Sequence, residues 1–336
     1  MEYKENCTSL HATHLRQPGG RNPSVSAARL IAMGLIISCH MLQYYDNELC
    51  RWLNVGVHVF FIISGYLYGS KEIDNPTFIK KGFIKILVPY YIFILASVLI
   101  YTLFAPNFLS FVSVFKAVLC AGTIKGLAHL WFIGYILFCY LLTPYLVWLR
   151  KIANDKSLLG TILFFSVLIV FIQLIGFAYD SYFRPDRVTC YIIGFFIPSI
   201  LQKTNHNTKI VLLWITILLA IIVNCARIYF NYISVLFIPH ALITILIIYG
   251  QFLLGLMLFS IMLTVLKLNY CRLLKWSDKY SYSVYLVHLL FVLSPFTLMK
   301  LTDFTVLNII VVVAAIIMSA TILQYISSKV LLTIKI

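Results

Sequence analysis

Ser26–Leu42, SAARLIAMGLIISCHML, is the stretch that decides what kind of chain this is. It holds one charge, Arg29, and one titratable base, His40; every other residue is apolar or small. With its neighbours it reaches the roughly 20 residues that a helix needs to cross the hydrocarbon core of a bilayer. An ionisable side chain at that depth is costly and normally faces a protein interior or a wet cavity, so Arg29 and His40 are functional candidates from the outset. Eleven residues are close to three helical turns, overshooting by only about 20°, which puts both side chains on one stripe about 16 Å apart. One end of the stripe carries a permanent cation. The other carries a group that moves protons near neutral pH.

The remainder of the chain follows the same pattern. Of its 336 residues, 62% are hydrophobic and 11% charged, against roughly 25% charged in a soluble domain. The expectation is an all-α polytopic membrane protein. Ten spans can be counted, near 25–45, 52–70, 83–104, 127–149, 157–178, 188–202, 210–229, 240–266, 281–299 and 304–328. With the N-terminus inside, eighteen of the 26 Lys and Arg fall on inner segments and seven on outer loops, the last being Arg29. That asymmetry is the positive-inside signal, and it predicts cytoplasmic N- and C-termini. The net charge of +15 therefore reports topology rather than a nucleic-acid partner. Residues 1–24, with Pro18, Gly19, Gly20 and Pro23, read as a flexible cytoplasmic tail rather than a cleaved signal peptide, and 25–336 as one transmembrane domain. The eight cysteines have no CxxC or metal-like spacing, so neither a disulfide framework nor a metal site is expected.

Four further segments carry polar chemistry. The second span, GVHVFFIISGYLYG from Gly56 to Gly69, has Ser64 and Gly65 where backbones can approach closely; these read as packing residues, and His58 as structural. After it comes FIKKGFIKILVPYY, Phe78 to Tyr91, with Lys81 and Lys85 on one helix face at the cytoplasmic surface. Paired ammonium groups there suit anionic lipid head groups or the phosphates of a soluble cofactor. The fourth span opens with HLWF, bringing His129 and Trp131, and the ninth with SYSVYLVHLL, bringing Tyr282, Tyr285 and His288. The loop DSYFRPDR, 180–187, is expected to form a charged rim over an outward-facing cavity.

Taken in order, R-x10-H, GVxxFFxxSGYL, F-x2-K-x3-K-x3-P, HLWF and SYSxYLxH resemble the acyltransferase-3 family of integral membrane O-acyltransferases, which includes bacterial enzymes that acetylate cell-surface polysaccharides. The resemblance runs from about Ser26 to the C-terminus. It implies a ten-helix bundle in the bacterial cytoplasmic membrane, with Arg29 and His40 as the essential pair. The reaction implied is acyl transfer from acetyl-CoA, or another acyl-CoA, to a hydroxyl of a glycan or lipid-linked saccharide. On this reading His40 is the general base, and Arg29, Lys81 and Lys85 hold the donor. His129, Trp131, Tyr282 and His288 are candidate substrate-binding residues. Lys81 and Lys85 stand where the family often has Arg, which keeps charge but loses bidentate phosphate geometry. The expected partners are membrane lipids, acyl-CoA and the saccharide acceptor, with a homo-oligomer left open and no metal. An acyl-histidine relay is an alternative to general-base chemistry. Two other classes also fit the stripe: a transporter or flippase for a lipid-linked saccharide that uses Arg29 and His40 for substrate or proton coupling, and a non-catalytic sensing domain.

Overall fold

In the computed structural model the described residues are 22–71, 77–154, 156–178, 185–230, 240–266 and 268–334. Most of the N-terminal tail read from the sequence, and residues 180–184 of the DSYFRPDR loop, lie outside them. No strand occurs among the described residues, whose regular elements are all helices. In chain order the helices are α1 (Pro23–Tyr44), the single turn α2 (Cys50–Leu53), α3 (Val55–Gly69), α4 (Thr77–Phe104), α5 (Phe111–Val118) and α6 (Trp131–Asn154). They continue with α7 (Leu158–Ala178), α8 (Pro185–Gln202), α9 (His206–Ile228), α10 (His240–Thr264), α11 (Arg272–Val292) and α12 (Thr305–Thr333).

Each of the ten spans read from the sequence corresponds to one long helix or, for α2 and α3, to a helix pair. Seven of these segments are long and apolar enough to cross a membrane by length and composition. The others are α7, α8 and α11, and α11 falls short for a chemical reason: Arg272, Lys275, Asp278 and Lys279 lie within its first two turns. The chain is a multi-pass, all-α integral membrane protein.

Local chemistry sets the helix ends. Asn22 caps α1 by accepting from the Ser24 amide at 2.9 Å, and Pro23 occupies the first helical position, where a missing N–H costs nothing. Two of the basic residues that carry the topology signal also cap C-termini. Arg150 donates to the Gly69 carbonyl at 2.5 Å and the Lys71 carbonyl at 3.0 Å, closing α3. Lys203 donates to the Ala153 and Lys156 carbonyls, both at 2.7 Å, closing α6. Cations at these positions complement the negative end of the helix dipole.

The bundle has a tight centre and a lipid-facing periphery. Only 11% of the apolar window of α9 is buried, against 56% for the α2–α3 segment. The closest interface is α3 on α8, where glycines allow the backbones to meet. A Cβ on Gly65 would overlap the Tyr191 carbonyl oxygen, one on Gly69 the Phe195 carbonyl, and one on Gly194 the Ile62 carbonyl. This agrees with the packing role read for Gly65. Gly65→Ala is expected to destabilise the protein by about 1–3 kcal/mol, because the obstacle is backbone that cannot rotate away. Thermal unfolding in detergent checks this; an unchanged midpoint would contradict it. On its other side α3 packs against α1, and α1 lies along α11, so the stripe from Arg29 to His40 faces the bundle interior.

The segment 105–126, read as re-entrant or interfacial, contains α5. Phe111, Val112 and Phe115 are exposed, while Tyr90 fixes the helix from below by donating to the Ala117 carbonyl at 2.6 Å. A short helix with an exposed apolar face suits the membrane interface.

Candidate functional site

The site is built on two helices that run side by side in the same direction. On α1, Arg29 and His40 are eleven residues apart; on α11, Asp278 and His288 are ten apart. Arg29 Nη1 lies 2.5 Å from Asp278 Oδ1, and the His40 and His288 rings are 5.3 Å apart. Two contacts with nearly the same offset fix the pair as parallel and in register. The charged contact lies at one end and the imidazole contact about 16 Å further along.

Asp278 is the organising residue at the charged end. Its Oδ2 accepts from Ser26 Oγ at 2.8 Å and from the Tyr270 hydroxyl at 2.6 Å, while Oδ1 takes Arg29. Its side chain is 4% exposed and that of Arg29 17%. A buried charge pair of this kind is sustained by hydrogen bonds to its remaining lone pairs, which Ser26 and Tyr270 supply.

At the other end, His40 Nδ1 lies 2.9 Å from Gln43 Oε1. A carbonyl oxygen only accepts, so the ring hydrogen sits on Nδ1 and Nε2 keeps its lone pair. Behind His40 stand two fully enclosed imidazoles. His288 Nδ1 donates to the Tyr285 carbonyl at 2.6 Å, and His129 Nε2 donates to the Leu286 carbonyl at 2.9 Å. The His129 and His288 rings are 4.9 Å apart. Tyr285 locks the arrangement by donating to the His129 carbonyl at 2.6 Å. Between the two ends a narrow crevice is lined by Met33, Ile36, Ile37, Phe60, Val284, Tyr285 and His288. Met33, Ile36 and Ile37 lie on the Arg29–His40 stripe itself.

The structure therefore brings His40, His129 and His288 together, and it corrects two placements. His129 stands in the turn that leads into α6, at the helix start where the sequence placed it, and both His129 and His288 are buried; His288, however, lies near the end of α11, because that helix begins at Arg272, nine residues before Ser281. The charged rim expected from DSYFRPDR is not found in its described part. Asp186 is fully buried and meets His58 Nε2 at 3.2 Å, and the Arg187 guanidinium stacks 3.3 Å above the Trp131 ring. Burying such groups is tolerated only where partners offset the desolvation, and His58 serves Asp186 while the Trp131 ring face serves Arg187. Trp131 is thus engaged by Arg187 rather than by the imidazole row. Tyr282, on the α4 side of α11, donates to the Ile86 carbonyl at 2.9 Å.

Lys81 and Lys85 are exposed on α4. Lys71, just beyond α3, lies close enough to Lys85 that burial and that neighbour's charge both pull its ammonium below the ordinary lysine value. The Lys71 and Lys85 cations therefore gather at one surface, a field that favours a polyanion. Among the described residues, no group of three His, Cys, Asp or Glu side chains converges on a point where a metal ion would be held.

Asp278 was missed from the sequence, although a signal was there. A carboxylate ten residues before a histidine on one helix mirrors the Arg29–His40 spacing in opposite charge, although Arg272, Lys275 and Lys279 surround it. The family model described as an acyltransferase domain matches residues 22–327. No curated protein and no solved structure matches the chain.

Proposed function

The chain belongs to the acyltransferase-3 family and is a membrane acyltransferase, and from that premise we propose the following reaction. An acyl group, taken to be acetyl, passes from a cytoplasmic acyl-CoA to a hydroxyl of a cell-surface glycan or lipid-linked saccharide at the bacterial cytoplasmic membrane. The observation that carries the proposal is the paired register of α1 and α11, with Arg29 against Asp278 at one end and His40 against His288 at the other.

The positive-inside bias puts the Arg29 end at the cytoplasm, on the same side as Lys81 and Lys85. CoA binds there through its phosphates, with Lys81 and Lys85 as screened point charges and Arg29 at the entrance to the stripe, and its pantetheine arm carries the thioester the roughly 16 Å on to His40. His40 Nε2 takes the proton of the attacking hydroxyl as its oxygen bonds to the acyl carbon. The carbon–sulfur bond breaks, and the leaving thiolate recovers a proton from the imidazolium. A positioned general base of this kind contributes typically 10²–10⁴-fold. Asp278 orients the Arg29 guanidinium, and the narrow crevice excludes water that would hydrolyse the thioester.

Purified protein incubated with labelled acetyl-CoA and a hydroxylated saccharide should release CoA and transfer label. A preparation that binds saccharide and moves it across vesicles without consuming acetyl-CoA would favour the transporter reading instead. Replacing Lys81 and Lys85 together by Gln should raise the donor KM and leave kcat nearly unchanged, because docking contacts act equally on ground and transition states. The effect should shrink at high salt, where exposed charges are screened over about 8 Å or less. An unchanged donor KM at both low and high salt would reduce the two lysines to membrane anchors.

A further inference from the structure

The thioester of an acyl-CoA sits at the end of a pantetheine arm, a run of peptide-like amides that cannot enter an apolar bundle without hydrogen-bond partners. Tyrosine supplies them well, because its hydroxyl both donates and accepts at the tip of a ring that packs like an apolar side chain. The bundle holds two kinds of tyrosine. Tyr90, Tyr101 and Tyr191 are 0% exposed, and the first two donate to the Ala117 and Lys125 carbonyls; these serve packing. Tyr68 on α3, Tyr140 on α6 and Tyr282 on α11 instead keep part of their surface, although they converge inside the bundle.

Their order suits a threaded arm. The Tyr68 and Tyr140 rings meet edge to face at 4.7 Å, and their hydroxyls hydrogen-bond. Gly82 of α4 stands over the pair: a Cβ there would come within 3.3 Å of both the Tyr68 hydroxyl and the Tyr140 ring, so even a methyl group would crowd them. At the cytoplasmic end the Lys71 ammonium lies 5.8 Å from the Tyr68 ring centre and feels the charge of Lys85. Further in, the Tyr140 and Tyr282 hydroxyls are close enough to interact. Tyr282 is held by the carbonyl of Ile86, next in sequence to Lys85, at 2.9 Å. It lies one turn beyond Asp278, so Arg29 stands at the same entrance. Tyr282, Tyr285 and His288 then follow at three-residue steps along α11. The last two line the crevice, and His288 meets His40. From Tyr282 to His288 is about 9 Å.

We propose that Tyr68, Tyr140 and Tyr282 form a hydrogen-bonding wall along which the pantetheine arm passes from the lysines to His40, and that they select donors carrying that arm. The inference rests on the acyl-transfer reading above. Tyr68 and Tyr140 meet the part of the arm nearer the phosphates. Tyr282, whose hydrogen is spent on the Ile86 carbonyl, offers its oxygen to an amide N–H nearer the thioester. All three are binding residues, and no covalent bond to them forms or breaks.

Three donors take CoA apart: acetyl-CoA itself, acetyl-pantetheine, which keeps the arm without the phosphates, and S-ethyl thioacetate, which keeps only the thioester. The variants are full-length Tyr68→Phe, Tyr140→Phe and Tyr282→Phe, each keeping the ring and losing the hydroxyl. The quantity read is kcat/KM for acetyl-pantetheine divided by kcat/KM for S-ethyl thioacetate, which does not depend on how much of a variant folds. In each variant it should fall about 3- to 10-fold, the effect of one lost hydrogen bond, with the change in KM rather than kcat. Acetyl-CoA should show the same loss as acetyl-pantetheine. The proposal is overturned if two of the three variants keep the ratio within twofold of wild type. Equal losses on both thioesters keep the ratio, and so assign the tyrosines to packing and overturn it too. Wild type that uses S-ethyl thioacetate as well as acetyl-pantetheine would also overturn it. Wild type that consumes none of the three donors would instead bring down the acyl-transfer reading.

Discussion

His40→Ala and His40→Gln are expected to leave the protein inserted and abundant while transfer from acyl-CoA falls by two orders of magnitude or more. His40 is only partly buried, and among the described residues its side-chain hydrogen bond is to Gln43 on its own helix, so the fold does not lean on it. In the proposed reaction Nε2 is the lone pair that takes the proton, and removing a general base typically costs 10²–10⁴-fold. Gln restores a polar group of similar reach but cannot take a proton, so it should be no better than Ala. Either variant retaining more than a tenth of wild-type transfer, a loss below about 1.4 kcal/mol, would rule out His40 as the base.

Asp278→Asn should have the second large effect, and on two separate readouts. Arg29 loses the carboxylate that holds it, while Ser26 and Tyr270 lose their charged acceptor. Breaking a buried pair by removing one partner typically costs about 3–5 kcal/mol; with Arg29 17% exposed, the lower end of that range is expected. The thermal midpoint in detergent should therefore drop, and kcat should fall because the guanidinium is no longer aimed. Arg29→Lys should separate the two effects. It keeps the charge against Asp278, so the midpoint should move little, but it loses the planar fork and kcat should still fall. An Asp278→Asn protein with wild-type midpoint and wild-type kcat would show that the pair neither holds α1 to α11 nor serves the reaction.

Much of this was legible in the sequence because the bilayer limits what a chain can do. Long apolar runs must be helices, and the distribution of Lys and Arg orients them, so the helix order could be read directly. Arg29 and His40 stood out because an ionisable residue in such a run needs a reason. Asp278 did not, since it lies among Arg272, Lys275 and Lys279 and reads as part of a charged interfacial stretch; only the three-dimensional pairing with Arg29 shows that α11 starts early and carries it inward. The burial of His129 and His288 was hidden for a related reason. Sequence position suggested helix starts, with a packing or an interfacial role left open, and side-chain packing between α6, α11 and α1 decides what is enclosed. Asp186 was misplaced for the same cause, because a charge-dense loop reads as solvated until its partner, His58 on a distant helix, is known.

In the proposed reaction the donor is held at the Arg29 end and the proton moves at the His40 end, both on one helix pair. Wild-type protein reconstituted in one orientation in sealed vesicles, with labelled acetyl-CoA supplied to one face and saccharide acceptor to the other, tests it most directly. Labelled acceptor is expected only when acetyl-CoA is on the face that bears Lys81 and Lys85. Transfer only with acetyl-CoA on the opposite face, or saccharide crossing the vesicle with acetyl-CoA untouched, would contradict it.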